Sequence, residues 1–218
     1  MSYTKEFAKI YDKKGWAEFS YLVFKKFKNL IKGKKRLLDA ACGTGTFARL
    51  ISKYIKVDAY DKSEAMLKIA RVKTKKVKFF KQDLIKYSKK DAYDVITCFY
   101  NSINHLNTRL KWQKTFNNFY ISLKPNGILI FDINTIKALK YWSKINEKKG
   151  KLIRKGFSNK KQTAGLVIYY KNKVISMVNE IAFKVSEVKQ MLKKAGFKQI
   201  ITESDKKGKR VFFIVKRI

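Results

Sequence analysis

The chain has 218 residues, 45% of them hydrophobic, and sets 52 Lys and Arg against 16 Asp and Glu for a formal charge of +36. That length can bury the core of one domain, that apolar share excludes a disordered chain, and no apolar run reaches the roughly eighteen residues that span a bilayer. Two cysteines, Cys42 and Cys98, exclude a disulfide framework and a zinc cluster, and the charged N-terminus lacks a signal-peptide core, so a reduced, cytoplasmic setting is expected. The charge attracts nucleic acid, phospholipid or nucleotide sugars. Because the lysines are spread along the whole chain, a bias of composition accounts for it equally well.

Along the chain, Tyr3 to Ile31 reads as one or two amphipathic helices interrupted at Gly15, with Phe7, Ile10 and Tyr11 on one face and Phe19, Leu22, Val23, Phe27 and Leu30 on the next. "KRLLDAA" is a short buried strand. "TFARLISKYI" is a helix that turns Phe47, Leu50, Ile51 and Tyr54 inward. "VDAYD" is a second strand and "SEAMLKIARVK" a second helix, with Ser63 as N-cap and Glu64 in its first turn. Strands follow at "KVKFFKQD" and "YDVITCFY", then the helix "RLKWQKTFNNFYISL", a turn at "KPNG" and the strand "ILIFDIN". Strands alternating with helices predict an α/β fold whose parallel sheet is covered on both faces. From Lys151 to Ser186 the pattern changes to antiparallel β with a hairpin turn at "YKNKV". The helix "SEVKQMLKKAGF", stopped by Gly196, and the strands "KQIITES" and "RVFFIVKRI" close the chain.

The stretch "LLDAACGTGTF" joins the first strand to its helix. Gly43 and Gly45 let the backbone approach a ligand closely, at the crevice where open α/β sheets bind. Alone the match is weak, with a tight strand-to-helix turn as the alternative. Two acids favour a nucleoside. Asp61 ends the second strand, where a carboxylate can accept from both ribose hydroxyls, and Asp83 ends the third, where it can accept from an adenine amino group.

The ordered set "LLDAACGTG", "VDAYDKSEAML", "FKQDL", "YDVITCFYNSINHL" and "LKPNGILIFDIN" resembles the class I S-adenosylmethionine-dependent methyltransferases over most of the chain. The resemblance implies a Rossmann-like seven-stranded, mostly parallel sheet of order 3-2-1-4-5-7-6 with the last strand antiparallel. It also implies one domain over 1–218: an N-terminal helical cap (1–34), a cofactor-binding core (35–135), a β substrate cover (150–186) and a closing helix and hairpin (187–218). The cofactor it implies is S-adenosyl-L-methionine. Gly43 and Gly45, with Ala41 and Thr44, would face its methionine end, and Asp39 would lie beneath and order the loop. Asp61 would hold the ribose beside Lys62 and Met66, while Gln82, Asp83 and Leu84 would frame the adenine. Cys98 and Phe99 would line the far side, and Tyr11 and Trp16 would close over it.

Methyl transfer needs an aligned nucleophile and, for an amine, a proton acceptor. The single histidine, His105 in "NSINHL", follows the fourth strand. The chain is most similar to the small-molecule branch, including nucleotide-linked amino-sugar N-methyltransferases, which carry a Tyr before Asp in the cap and a His in "SI-x-HL". Tyr11-Asp12 and His105 match both, so Tyr11 and His105 are expected to be catalytic, with Asn101 and His105 touching the substrate. Asn101 departs from the acid or Ser of many relatives, which leaves the substrate class open. No metal is expected. The expected partner is a small-molecule acceptor, anionic in one version, bound by a monomer or homodimer. The alternatives are an RNA methyltransferase, drawn from the charge, and a non-catalytic binding protein of the same fold.

Overall fold

The computed structural model describes residues 2–158 and 162–218, without the side chain of Ser2. A two-residue strand, β1 (Ser2–Tyr3), leads into α1 (Lys5–Tyr11), whose N-cap Thr4 accepts from the Phe7 N–H at 3.1 Å. A 3₁₀ turn over Asp12–Lys14 ends at Gly15, φ 83°, and α2 (Glu18–Ile31) follows. Helix α2 buries a narrow stripe of Val23, Phe27 and Ile31. Leu22 and Leu30, expected on that face, are exposed: each precedes a buried residue and is rotated about 100° from it.

The parallel core then forms in the expected sequence: β2 (Arg36–Ala40), α3 (Thr46–Ile51), β3 (Lys56–Asp61), α4 (Glu64–Lys73), β4 (Val77–Lys81), β5 (Tyr93–Cys98), α5 (Arg109–Ser122) and β6 (Leu123–Asn134). Ser63 caps α4, its hydroxyl accepting from the Met66 N–H at 3.3 Å. Helix α3 is shorter than its apolar pattern suggested. It ends at Ile51, so Tyr54 falls out of helical phase and lies half exposed against Phe24. The "KPNG" turn falls within the range of β6, where four residues stand opposite one of β5. Leu123 pairs with Tyr93 and Ile128 with Val95, while Asn126 takes φ 63° between them.

After β6 come α6 (Ile136–Trp142), which the sequence reading passed over, and β7 (Asn146–Lys149), β8 (Leu152–Phe157), β9 (Thr163–Tyr170) and β10 (Lys173–Ile181). The chain closes with α7 (Val185–Lys194), β11 (Gln199–Ser204) and β12 (Arg210–Lys216). The main sheet runs β4-β3-β2-β5-β6-β12-β11, with β12 antiparallel to both neighbours. This is the 3-2-1-4-5-7-6 order. Leu37 faces α2 and α3 through Val23, Phe27, Phe47 and Ile51, whereas Leu38 faces α5 and α7 through Trp112, Phe116, Val188 and Leu192. Both faces are covered, which is why "RLLDA" is apolar without alternation.

The second sheet, β1-β10-β9-β8-β7, is antiparallel throughout. The hairpin falls where expected, with Lys171 and Asn172 both at positive φ (51° and 62°), the backbone of a tight two-residue turn. The expected cover began at residue 150; the sheet begins at Asn146 and takes its outer strand from the N-terminus. Tyr3 pairs with Ser176, and the Thr4 hydroxyl donates to the Ile175 carbonyl at 2.7 Å. No helix among the described residues is long and apolar enough to cross a membrane.

Gly45 shows how tightly this frame is fitted. Its φ is 70°, and a Cβ there would stand 2.8 Å from Ala70 Cβ and 2.9 Å from the Phe79 ring. Gly45→Ala should therefore cost about 1–3 kcal/mol, measured as a lowered midpoint in urea unfolding.

Candidate functional site

Strands β2, β3, β4 and β5 all end at one edge of the main sheet, and the loops there are tied by carboxylates. Asp61, the last residue of β3, accepts from the Gly43 N–H through Oδ2 and from the Ser63 N–H through Oδ1, both at 2.8 Å. One side chain thus fastens the glycine loop to the start of α4. Asp39, one strand over, is buried and accepts from the Thr97 hydroxyl at 2.8 Å. The loop also reaches the cap: the Thr44 hydroxyl donates to Asp12 at 2.7 Å. Beyond β4, Asp83 accepts from the Ile85 N–H at 3.1 Å and pairs with Lys62 at 3.0 Å.

Burial raises the Asp39 carboxyl to about 7; the Thr97 hydroxyl works against this and the charge of Asp61 adds to it. Burial raises Asp61 as well, although the N–H groups of Ser63 and Gly43 oppose it. Asp83 goes the other way. Burial works against its charge, but the Ile85 N–H and the Lys62 ammonium outweigh it and hold the carboxyl below its ordinary range.

These groups wall a cleft of about 320 Å³. Of the residues singled out in the sequence, Tyr11, Asp39, Ala41, Gly43, Thr44, Asp61, Lys62, Met66, Gln82, Asp83, Leu84, Phe99 and His105 line it. Four do not. Gly45 turns into α3 behind the loop, held against Ala70 and Phe79. Cys98 is fully buried in the core. Trp16 and Asn101 line a second cavity of about 160 Å³.

The second cavity lies between the cap, the antiparallel sheet and α6, and it contains Trp142, Arg154, Glu180 and Arg210, none of which the sequence reading singled out. Tyr3, Tyr11, Tyr100 and His105 line both cavities. Burial pushes the phenols of Tyr3 and Tyr11 far above their ordinary value and that of Tyr100 up to about 12, so all three remain protonated at neutral pH and act as donors. His105 Nδ1 lies 3.4 Å from the Asn179 carbonyl. A carbonyl only accepts, so this contact uses Nδ1–H and leaves Nε2 turned to other partners. Two signals for the missed residues were in the chain. Glu180 is the only acid between Lys151 and Ser186, and Tyr100 stands at the end of a strand next to the Asn101 already suspected.

The cleft fits a nucleoside. One carboxylate ends β3 and another follows β4, backbone N–H groups of the loop lie beside Asp61, and the buried Tyr60 hydroxyl, on the cleft wall, has no hydrogen-bond partner. Residues 37–127 match a family model described as a methyltransferase domain. The protein YqeM of Bacillus subtilis is 36% identical over 107 residues, 47% of this chain and 43% of that protein. A dTDP-4-amino-2,3,4,6-tetradeoxy-D-glucose N,N-dimethyltransferase of Saccharopolyspora spinosa is 27% identical over 137 residues, 60% of this chain and 55% of that protein. The chain spans about half the length of these curated relatives. An S-adenosylmethionine-dependent methyltransferase of Clostridium acetobutylicum, solved by crystallography, superposes with a TM-score of 0.81 at 24% identity, over 97% of each chain. The fold is that of the class I S-adenosylmethionine-dependent methyltransferases. The chain's resemblance to them runs through residues 37–127 in sequence and through nearly its whole length in structure.

Asp39 has a measurable consequence. A carboxyl whose folded pKa of about 7 exceeds its ordinary 3.8 holds its proton more tightly in the fold. It therefore favours folding most below its unfolded pKa, and that contribution is lost as pH rises through its folded value. Asn cannot ionise. The stability of Asp39→Asn relative to the parent should climb across this window and then level off, read from urea unfolding at a series of pH values.

Proposed function

We propose that the chain is an S-adenosyl-L-methionine-dependent methyltransferase, one domain over 1–218, that acts on a small-molecule amine or hydroxyl acceptor. The observation that carries this reading is the meeting of two cavities at Tyr3, Tyr11, Tyr100 and His105. One has the chemistry to hold the donor and the other is open for an acceptor. The family match over 37–127 supports the reaction class, and the amino-sugar dimethyltransferase among the relatives supports a small acceptor.

In this reading S-adenosyl-L-methionine, when bound, supplies an electrophilic methyl group on a sulfonium sulfur. The chain's own residues do the rest. The Gly43 loop and Asp61 bind the amino-acid and ribose portions, and Asp83 with Leu84 binds the base. Met66 and Phe99 cover apolar surface. The aromatic cap, with Tyr11 on Trp16 at 5.7 Å between ring centroids, excludes water from the junction. Since the three phenols stay protonated, they orient the acceptor by donating, and His105 Nε2 is the group at the junction suited to take the acceptor's proton.

The charge of +36 favours a second reading, an RNA acceptor. A chamber of about 160 Å³ suits a compact molecule better.

Calorimetry with S-adenosylhomocysteine tests the donor site. Asp61→Ala removes a buried hydrogen-bonding partner and should weaken binding about tenfold or more. Unchanged affinity would sink the assignment. His105→Asn should leave that affinity intact and lower kcat by about 10²–10⁴ if the imidazole moves a proton. A change confined to KM of the acceptor would instead mark it as a positioning residue.

A further inference from the structure

Among the described residues the second cavity is lined by three charged side chains, and one of them, Glu180, has no ion-pair partner. Arg154 is paired with Glu147, and Arg210 with the buried Asp132. Glu180 is held only by neutral amides: Oε1 accepts from Asn101 Nδ2 and Oε2 from Asn134 Nδ2, each at 2.8 Å. Among the described residues no Lys or Arg forms an ion pair with it, in a chain that has 52 of them.

The two amides are themselves fixed. Arg210 donates to Asn101 Oδ1 at 3.3 Å, which orients the Nδ2 of that amide toward the carboxylate. The backbone of Asn134 is locked to Asn104 in both directions, its N–H donating to Oδ1 at 3.0 Å and its carbonyl accepting from Nδ2 at 3.0 Å. Asn104 is fully buried. A carboxylate has about four acceptor positions, and two amides use two. Glu180 is thus a pre-aimed anion with acceptor capacity left over. Trp16, Trp142, Tyr11 and Tyr100 share the cavity with it. Aromatic faces attract cations, and an unpaired carboxylate near them does so more strongly.

We propose that this cavity binds a ring-sized amine in its ammonium form, with Glu180 as the counter-charge. The inference deepens the methyltransferase reading and rests on it for the amine's role as methyl acceptor. It selects an amine over a hydroxyl compound, and it opposes the expectation of an anionic acceptor that the net charge suggests. Before an ammonium can act as a nucleophile one N–H bond must break, with the electron pair remaining on nitrogen. The proton passes to His105 Nε2, which becomes imidazolium. His105 is within reach of the same wall, since its Nδ1 faces the carbonyl of Asn179, the residue before Glu180.

The test compares three probes of one shape: cyclohexylamine, cyclohexanol and cyclohexanecarboxylate. Binding to the parent protein is measured by calorimetry at neutral pH, with and without saturating S-adenosylhomocysteine. The amine should bind about tenfold or more tighter than the alcohol, and the carboxylate most weakly. Glu180→Gln should bring amine and alcohol within about twofold of each other and leave S-adenosylhomocysteine affinity unchanged. Equal binding of amine and alcohol to the parent overturns the proposal, as does an amine that fails to bind at millimolar concentration. A preference for the carboxylate overturns it in favour of an anion site at Arg154 and Arg210. Selectivity that survives Glu180→Gln removes Glu180 from the account. The parent's selectivity decides the matter even if that variant does not fold. Failure of S-adenosylhomocysteine to bind would count against the donor site alone, because the probe comparison is also made without it.

Discussion

A buried carboxylate satisfied by backbone N–H groups, rather than by a cation, organises the end of this sheet. Asp61 is 7% exposed in a chain with a large excess of lysine, yet Lys62 beside it turns away to Asp83. The groups that reach Asp61 are the N–H of Gly43 and the N–H of Ser63. A lysine partner would have left the loop free to move. Backbone partners make the loop's position part of the carboxylate's own solvation, so the end of β3, the turn after β2 and the first turn of α4 share one geometry. Gly45 completes the arrangement from behind, where only a hydrogen fits between Ala70 and Phe79.

The cap and the second sheet close over that edge by contacts very distant in sequence. Thr44 in the loop reaches Asp12 in the cap, which also pairs with Lys73 at the end of α4. Tyr3 pairs with β10, and its phenol is buried where the charges of Asp61 and Glu180 both bear on it. The N-terminal segment is therefore a shared wall between two cavities, with Asp61 on one side and Glu180 on the other. Low dielectric at such a wall strengthens every directed hydrogen bond across it and makes each unpaired polar group costly.

The main sheet was legible because its signals are local. Leu37 and Leu38 on opposite faces produce an apolar run, Ser63 announces a helix start, Asp61 ends β3, and Asp83 lies two residues past the end of β4 rather than on it. The second sheet was half legible. Its hairpin at Lys171-Asn172 stands out in sequence, but β1 has two residues and no propensity signal, and it exists only because Ser176 lies opposite Tyr3. Helix α6 was missed because its seven residues carry few of the marks that longer helices show. The "KPNG" turn sits inside the range of β6 because pairing with β5 resumes on both sides of it, at Leu123 and at Ile128. At the site, Gly45 and Cys98 look like ligand-facing residues in a linear motif, and only the packing reveals that they support it from behind. Glu180 could not acquire a role before the fold brought Asn101 and Asn134 to its two oxygens, from 79 and 46 residues away.

His105 is the only histidine in the chain, and it stands on the boundary of both cavities. Its ring protons are therefore the sole imidazole resonances of the protein, so no second histidine competes for their assignment. A ligand entering from either side must change their magnetic environment. The two chambers thus share a built-in spectroscopic reporter, one that responds to a ligand in either.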